Sequence, residues 1–110
     1  VTQMFFDNNK YFDFVKRMRA ENINVPIIPG IKPLAKKSQL NILPRLFHCD
    51  LPEELTKEAY KCKTDEQMKD LGIEWCTHQC KELIKAGVSS IHFYMTGNAG
   101  SLREVAKRIF

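Results

Sequence analysis

The stretch VTQMFFDNN at residues 1–9 indicates the fold, because it joins a strand pattern to a helix start. Residues 1–6 are rich in β-branched and aromatic side chains, which favour a strand. Residues 7–9 form a cluster of turn and helix-capping side chains. Apolar positions then recur at helical spacing over residues 10–20, so the sequence predicts an amphipathic helix, which Asn22 ends in a left-handed conformation.

Two further apolar runs have strand character. Residues 25–31 (VPIIPGI) contain Pro26 and Pro29, which cannot donate to a sheet ladder, so we expect a ladder of about three or four residues. Residues 90–95 (SIHFYM) are the third predicted strand. His92 lies in the middle of that strand, where an interior histidine with its hydrogen bonds satisfied is the commoner outcome and a ligand or base is the alternative.

Short helical patterns separate the strands. Residues 35–43 predict a short helix that Pro44 ends, and Asp50 is the predicted N-cap of the next helix. After the third strand, the residues SLRE at 101–104 have the capping-box form and predict a last helix that begins at Ser101.

The longest predicted helix begins at a second capping box. Thr64 is its N-cap, Gln67 reaches back to the chain before the helix, and the apolar series ends at Gly87. Cys76 and Cys80 lie four residues apart in that series, and we interpret them as core residues because a free cysteine packs as a small hydrophobe.

The order of these elements predicts the fold class. Three strands that alternate with helices, with connections too long for hairpins, predict parallel neighbours joined by right-handed crossovers. The fold is therefore α/β. Three strands alone leave two apolar edges unpaired, so we expect the chain to be part of a larger sheet.

Composition narrows the class of protein. The 110 residues are 44% hydrophobic and 27% charged, as in one globular domain, and no apolar run approaches the ~20 residues of a membrane span. The formal net charge of +4 is spread along the chain and gives little support for nucleic-acid binding. Four cysteines without a CxxC pair indicate free thiols in a reducing compartment, the cytoplasm, and no metal site.

Candidate binding residues lie late in each strand or just after it, where α/β folds bind ligands. Gln3 places a donor and an acceptor in an apolar run, which suits a heterocycle edge, although a structural bond to a neighbouring strand fits equally well. Gly30 permits a backbone close to a ligand or an otherwise forbidden dihedral, and a structural turn is the favoured interpretation. The loop at residues 97–100 resembles a phosphate-binding turn before a helix, and a plain turn is the alternative.

Three segments carry a family resemblance. Residues 2–7 (TQMFFD), 25–33 (VPIIPGIKP) and 92–95 (HFYM) together resemble the C-terminal part of methylenetetrahydrofolate reductase, in the same order over nearly all of the chain. The resemblance implies three consecutive parallel βα units, strands six to eight of a TIM (β/α)8 barrel. Residues 1–110 would then be a C-terminal fragment of a single barrel domain that usually needs ~250 residues.

The resemblance also implies a function. Members of the family are flavin-dependent oxidoreductases of one-carbon and methionine metabolism, which use FAD and a hydride from NADH or NADPH to reduce methylenetetrahydrofolate to methyltetrahydrofolate. Most FAD contacts and the proton-donating glutamate belong to earlier strands, so the 110 residues alone are expected to be inactive. We expect the intact protein to be a cytoplasmic homo-oligomer with folate and a nicotinamide cofactor as partners.

Four positions match substrate-binding positions of the family. Gln3 corresponds to a glutamine that contacts both the folate and the nicotinamide cofactor, and Gln39 to a second folate-contacting glutamine. Leu43 occupies an apolar folate-stacking position. Asn98 stands near the place of a folate-contacting arginine, and the resemblance leaves Lys36, Lys37 or Arg103 as substitutes for its charge. No catalytic residue of the family falls in this chain.

A rival interpretation comes from a different class of protein. The chain could be a self-contained small α/β module that binds a phosphate-bearing ligand at residues 97–100 or an acidic partner. Such a module would be a clean monomer, whereas part of a barrel exposes apolar edges and self-associates.

Overall fold

The computed structural model describes residues 1–47, 50–94 and 100–110, apart from the side chains of residues 46 and 47. The described part of the chain is α/β, with most of its regular structure helical. Its elements, in chain order, are α1 (Asn8–Ala20), β1 (Gly30–Ile31), α2 (Gln39–Phe47), α3 (Glu53–Lys61), α4 (Asp65–Lys85), β2 (His92–Phe93) and α5 (Gly100–Ile109).

The two strands are parallel, as predicted. Gly30 pairs with His92 and Ile31 with Phe93. On the other side of β1, Met4 forms an isolated parallel bridge with Gly30, so the extended segment at residues 1–6 lies beside β1. The prediction of three full strands is met only in part, because residues 1–6 make one bridge and the two strands have two residues each.

The prolines of the middle segment limit its ladder. Pro26 and Pro29 have no N–H to donate, so the neighbouring segments supply the donors. The amide of His92 donates to the carbonyl of Pro29 at 2.9 Å, and the amide of Thr2 donates to the carbonyl of Ile28 at 2.9 Å. The expected ladder of three or four residues is therefore too long, since β1 has two.

Side-chain hydrogen bonds cap the first turns of α1 and α4. The Asp7 carboxylate accepts from the amide of Asn9 at 3.0 Å and caps α1, and Asn22 has the predicted left-handed φ of 62°. At α4 the Thr64 hydroxyl accepts from the amide of Gln67 at 3.2 Å, and the Gln67 side chain accepts from the amide of Lys63 at 2.7 Å. The Thr64 half of the capping box is confirmed, and Gln67 reaches back one residue beyond the N-cap, to Lys63.

Three other helix boundaries were predicted wrongly. Pro44 lies inside α2 as the sixth of its nine residues, where it removes one hydrogen bond of the helix and does not end it. Asp50 does not cap α3; the N-cap is Pro52, and the Asp50 carboxylate lies 3.4 Å from the Lys10 ammonium instead. Ser101 is the second residue of α5 and not its cap.

The interior consists of two clusters. The first joins residues 1–6 to the chain after β1 and to α2, α3 and the first half of α4; its buried members are Met4, Phe6, Leu34, Leu43, Leu55, Ala59 and Met68. The second lies between the sheet and helices α1, α4 and α5; its buried members are Tyr11, Ile31, Ile73, Cys76, Cys80, Leu83 and Val105. No helix in the described ranges is long and apolar enough to cross a membrane.

The two clusters meet where α4 crosses the chain that leaves β1. A Cβ atom on Gly72 would collide with the carbonyl oxygen of Leu34 and would lie 2.6 Å from its carbonyl carbon. The helix can approach the main chain this closely because Gly72 has no side chain. Leu34 itself is fully buried.

We therefore expect Gly72→Ala to lower the free energy of unfolding by about 3 kcal/mol, the upper end of the ~1–3 kcal/mol that overpacking costs, because the colliding atoms are main-chain atoms that cannot rotate away. Urea denaturation followed by circular dichroism measures this loss. Gly87→Asn is the matched control, since a Cβ there meets no atom within 4 Å and asparagine tolerates the positive φ of 96°. Equal losses for the two variants would contradict the packing explanation.

Candidate functional site

The two faces of the short sheet have different surroundings. Ile31 and Phe93 point towards the second cluster, under α1, α4 and α5. Because side chains alternate along a strand, Gly30 and Tyr94 belong to the opposite face. Ligands of α/β folds bind beyond the carboxyl ends of the strands. We therefore take as the candidate site the carboxyl ends of β1 and β2 on this opposite face.

Gly30 is the point at which three segments come closest. A Cβ on Gly30 would lie 2.5 Å from Cε2 of Tyr94 and 2.6 Å from the carbonyl oxygen of Thr2. The Tyr94 hydroxyl donates to that same carbonyl at 2.7 Å, and the amide of Gly30 donates to the Thr2 hydroxyl at 2.9 Å. Gly30 lies in β1 and has no positive φ, so the turn favoured by the sequence is not observed, and the close approach to a ligand stays a prediction.

A buried lysine follows β1 directly. Lys32 is 7% exposed, and among the described residues it is the one charged side chain that is buried. Burial lowers the pKa of its ammonium group, because the charged form loses solvation. The amide of Tyr94 donates to the carbonyl of Ile31 at 2.8 Å, so Tyr94 follows β2 at the same level as Lys32 follows β1.

The position of the His92 imidazole differs from the predicted one. His92 is exposed, and its ring stands edge-on to the Tyr94 ring at a centroid distance of 4.7 Å. The prediction of an interior position for this histidine is therefore wrong. Its place in the outer strand of the described sheet explains the exposure, because no further described strand covers it.

Gln3 lies at the open edge of residues 1–6. Its side chain is exposed and lines a cavity of about 320 Å³ together with Phe5, Tyr11 and Phe14. The rings of Phe5 and Tyr11 stack at 5.5 Å and form an aromatic wall. The structure therefore gives Gln3 an accessible carboxamide beside apolar rings.

Gln39 and Leu43 lie elsewhere. The Gln39 carbonyl oxygen accepts from the amides of Ala35 at 2.7 Å and Lys36 at 3.1 Å, so this side chain shapes the turn before α2. Leu43 is 3% exposed and belongs to the first cluster. Asn98 lies outside the described residues. The described contacts do not bring Gln3 together with Gln39 or Leu43.

The sequence analysis missed a polar junction that fixes residues 1–6 to α4. The Gln79 amide group donates to the carbonyl of Phe5 at 3.2 Å and to Asn8 Oδ1 at 3.1 Å, while Asn8 donates to the Glu82 carboxylate at 2.9 Å. The indole N–H of Trp75 donates to the carbonyl of Phe6 at 2.8 Å. The signal was available, since positions 75, 79 and 82 share one face of a helix.

Cys76 and Cys80 are buried free thiols, as predicted for core residues. The hydrogen bond from Cys76 to Cys80, together with burial, raises the pKa of Cys76, and the same bond lowers the pKa of Cys80. Cys49 and most of the loop at residues 97–100 lie outside the described residues, so the phosphate-binding alternative stays a prediction.

Comparison with known proteins gives consistent matches. The family model described as methylenetetrahydrofolate reductase matches residues 1–109. The chain is 31% identical over 111 residues to a probable methylenetetrahydrofolate reductase (NADPH) of Caenorhabditis elegans, covering 99% of this chain and 17% of that protein. It is 35% identical over 95 residues to methylenetetrahydrofolate reductase (NADH) 1 of Arabidopsis thaliana, covering 86% and 16%.

A bacterial relative is shorter. The chain is 32% identical over 100 residues to the 5,10-methylenetetrahydrofolate reductase of Pectobacterium carotovorum, covering 90% of this chain and 34% of that protein. The chain therefore spans about a sixth of the two eukaryotic relatives and about a third of the bacterial one.

The bond between Tyr94 and Thr2 leads to a stability prediction. We expect Tyr94→Phe to lower the free energy of unfolding by about 1 kcal/mol, because it leaves a partly buried carbonyl without its donor. Thermal or urea denaturation measures the change. Tyr60→Phe is the matched control, since Tyr60 is 72% exposed and should lose almost nothing. A Tyr94→Phe variant as stable as the control would show that the bond contributes no net stability.

Proposed function

Because this chain belongs to the methylenetetrahydrofolate reductase family, we propose that the protein containing it reduces methylenetetrahydrofolate to methyltetrahydrofolate with NADH or NADPH as the hydride donor. The observation that carries the proposal is the match of the family model to residues 1–109, which include all three parallel segments. The parallel order of these segments with helices between them also fits consecutive units of a TIM barrel, strands six to eight, which we propose as the complete fold.

We propose that the chain provides contacts for substrate and nicotinamide, and that most of the residues that hold FAD lie outside it. A carboxamide beside aromatic rings offers the donor, acceptor and apolar wall that the edge of a pterin or nicotinamide ring requires, and Gln3 has these surroundings. When bound, FAD supplies the transfer of hydride between the nicotinamide and the methylene carbon. The contribution of Gln3 is orientation, since a glutamine has no proton to give at neutral pH.

Gln39 and Leu43 support the folate in different ways under this proposal. The Gln39 carbonyl oxygen is already occupied by two amides of the preceding turn, which leaves its NH2 group to donate to a ligand. Leu43 lies among Met4, Leu34 and other buried residues, so it would form part of an apolar floor that excludes water. Asn98 would bind the substrate by its amide, as its place in the family pattern implies.

The cellular setting is part of the same proposal. A reductase of this family acts in one-carbon and methionine metabolism, and free thiols in the core fit the reducing environment of the cytoplasm. We also propose that the intact protein is a homo-oligomer. Large apolar side chains at the surface support this, including Phe14 at 44% and Val25 at 60% exposure.

The proposed reaction is tested with the complete reading frame that contains this chain. The purified protein should oxidise NADH or NADPH only when a folate acceptor is present, and its absorption spectrum should show a bound flavin. A complete protein that binds no flavin and shows no folate-dependent oxidation would overturn the proposal.

In that protein, Gln3→Ala should lower kcat/KM by about 10-fold to 100-fold, because losing a hydrogen-bond partner costs ~1–3 kcal/mol. Steady-state kinetics with each substrate varied in turn measures the loss. Asn24→Ala is the matched control, since it removes an exposed carboxamide whose hydrogen bond is local and long, 3.4 Å to the Asn22 carbonyl. Equal activity of both variants would remove Gln3 from the substrate-binding residues.

A further inference from the structure

Lys32 is buried and lies at the carboxyl end of the sheet. It follows the last residue of β1, the central one of the three parallel segments, at the end where α/β folds bind ligands. Its neighbours in the chain, Ile31 and Leu34, are buried apolar residues. An ammonium group in such surroundings loses solvation, which proteins accept mainly where the charge has a partner or a function.

The alternation of side chains decides which face carries the lysine. Ile31 points towards the helices in the second cluster, so Gly30 and Lys32 share the opposite face with Tyr94. Three cations predicted as anion contacts are placed differently. Lys36 and Arg103 are exposed and Lys37 is half-buried, so Lys32 is the cation that the sheet itself positions.

We propose that Lys32 binds an anionic group of a ligand at the carboxyl end of the sheet, either a carboxylate of the folate or a phosphate of the nicotinamide dinucleotide. The inference rests on the proposed function, because both anions belong to its substrates. Lys32 takes part in an interaction within the chain, so the incoming anion joins or exchanges with that contact. The ammonium group is held at the end of a strand, so it contacts an anion only at one position.

The test uses the complete protein and three variants. Lys32→Met removes the charge and keeps most of the length of the side chain, Lys32→Arg keeps the charge, and Lys81→Met removes an exposed lysine of α4 as the matched control. Isothermal titration calorimetry gives the Kd for methyltetrahydrofolate in one arm and for NADH and NADPH in the other. The melting temperature of each unliganded protein is measured in parallel.

If Lys32 binds the anion, Lys32→Met weakens one arm by about 10-fold or more and leaves the other within about twofold. The arm that changes identifies the source of the anion. Lys32→Arg retains most of the affinity, and Lys81→Met retains all of it.

Unchanged Kd values in both arms would overturn the inference, above all if the melting temperature of Lys32→Met falls, since the lysine would then have a structural role. If Lys32→Met does not fold, Lys32→Gln takes its place, and failure of both to fold also assigns a structural role. A wild type that binds neither ligand refutes the proposed function. Thermal shifts with glutarate and pyrophosphate then decide on Lys32 separately, since they should stabilise the wild type and not Lys32→Met.

Discussion

The absence of a side chain at Gly30 allows three segments of the chain to meet. Gly30 is bridged to Met4 on one side and to His92 on the other, while the Tyr94 ring lies over it and bonds to Thr2. The prolines before β1 leave few ladder hydrogen bonds, so the bonds made around this glycine are a large share of what holds the sheet together. A methyl group here would separate Tyr94 from Thr2, and with them the two outer segments.

Helix α4 transmits this arrangement to the rest of the molecule. The side chains of Gln79 and Trp75 donate to the carbonyls of Phe5 and Phe6. Gly72 lies directly against the main chain of Leu34. One helix therefore fixes both the end of the first segment and the chain that leaves β1. The relative placement of residues 1–6 and Lys32 depends on this single support.

Local signals predicted what is local. The caps at Asp7 and Thr64 and the left-handed turn at Asn22 depend on side chains within a few residues, and the structure has all three. Pro44 was misjudged because a proline as the sixth of nine helical residues usually breaks a helix, and the packing of α2 through the buried Leu43 depends on residues distant in sequence. Strand length depends on partners distant in sequence, which a single segment does not reveal.

The residues of the candidate site were likewise predicted only in part. Gln3, Gln39 and Leu43 came from the family pattern, and the structure places them at an open edge, in a turn and in the core. The burial of Lys32 and the exposure of His92 were beyond the sequence, because both follow from the sheet neighbours of β1 and β2 and not from the residues beside them.

The long separation of paired residues has a consequence for how the chain folds. Tyr94 and Thr2 are 92 positions apart, and Asn8 and Gln79 are 71 apart, so the bonds that join the segments close very large loops. Contacts of this kind slow folding, whereas helices with their own caps form early. We therefore expect the sheet to assemble after the capped helices, because its pairing needs segments that lie far apart in the chain.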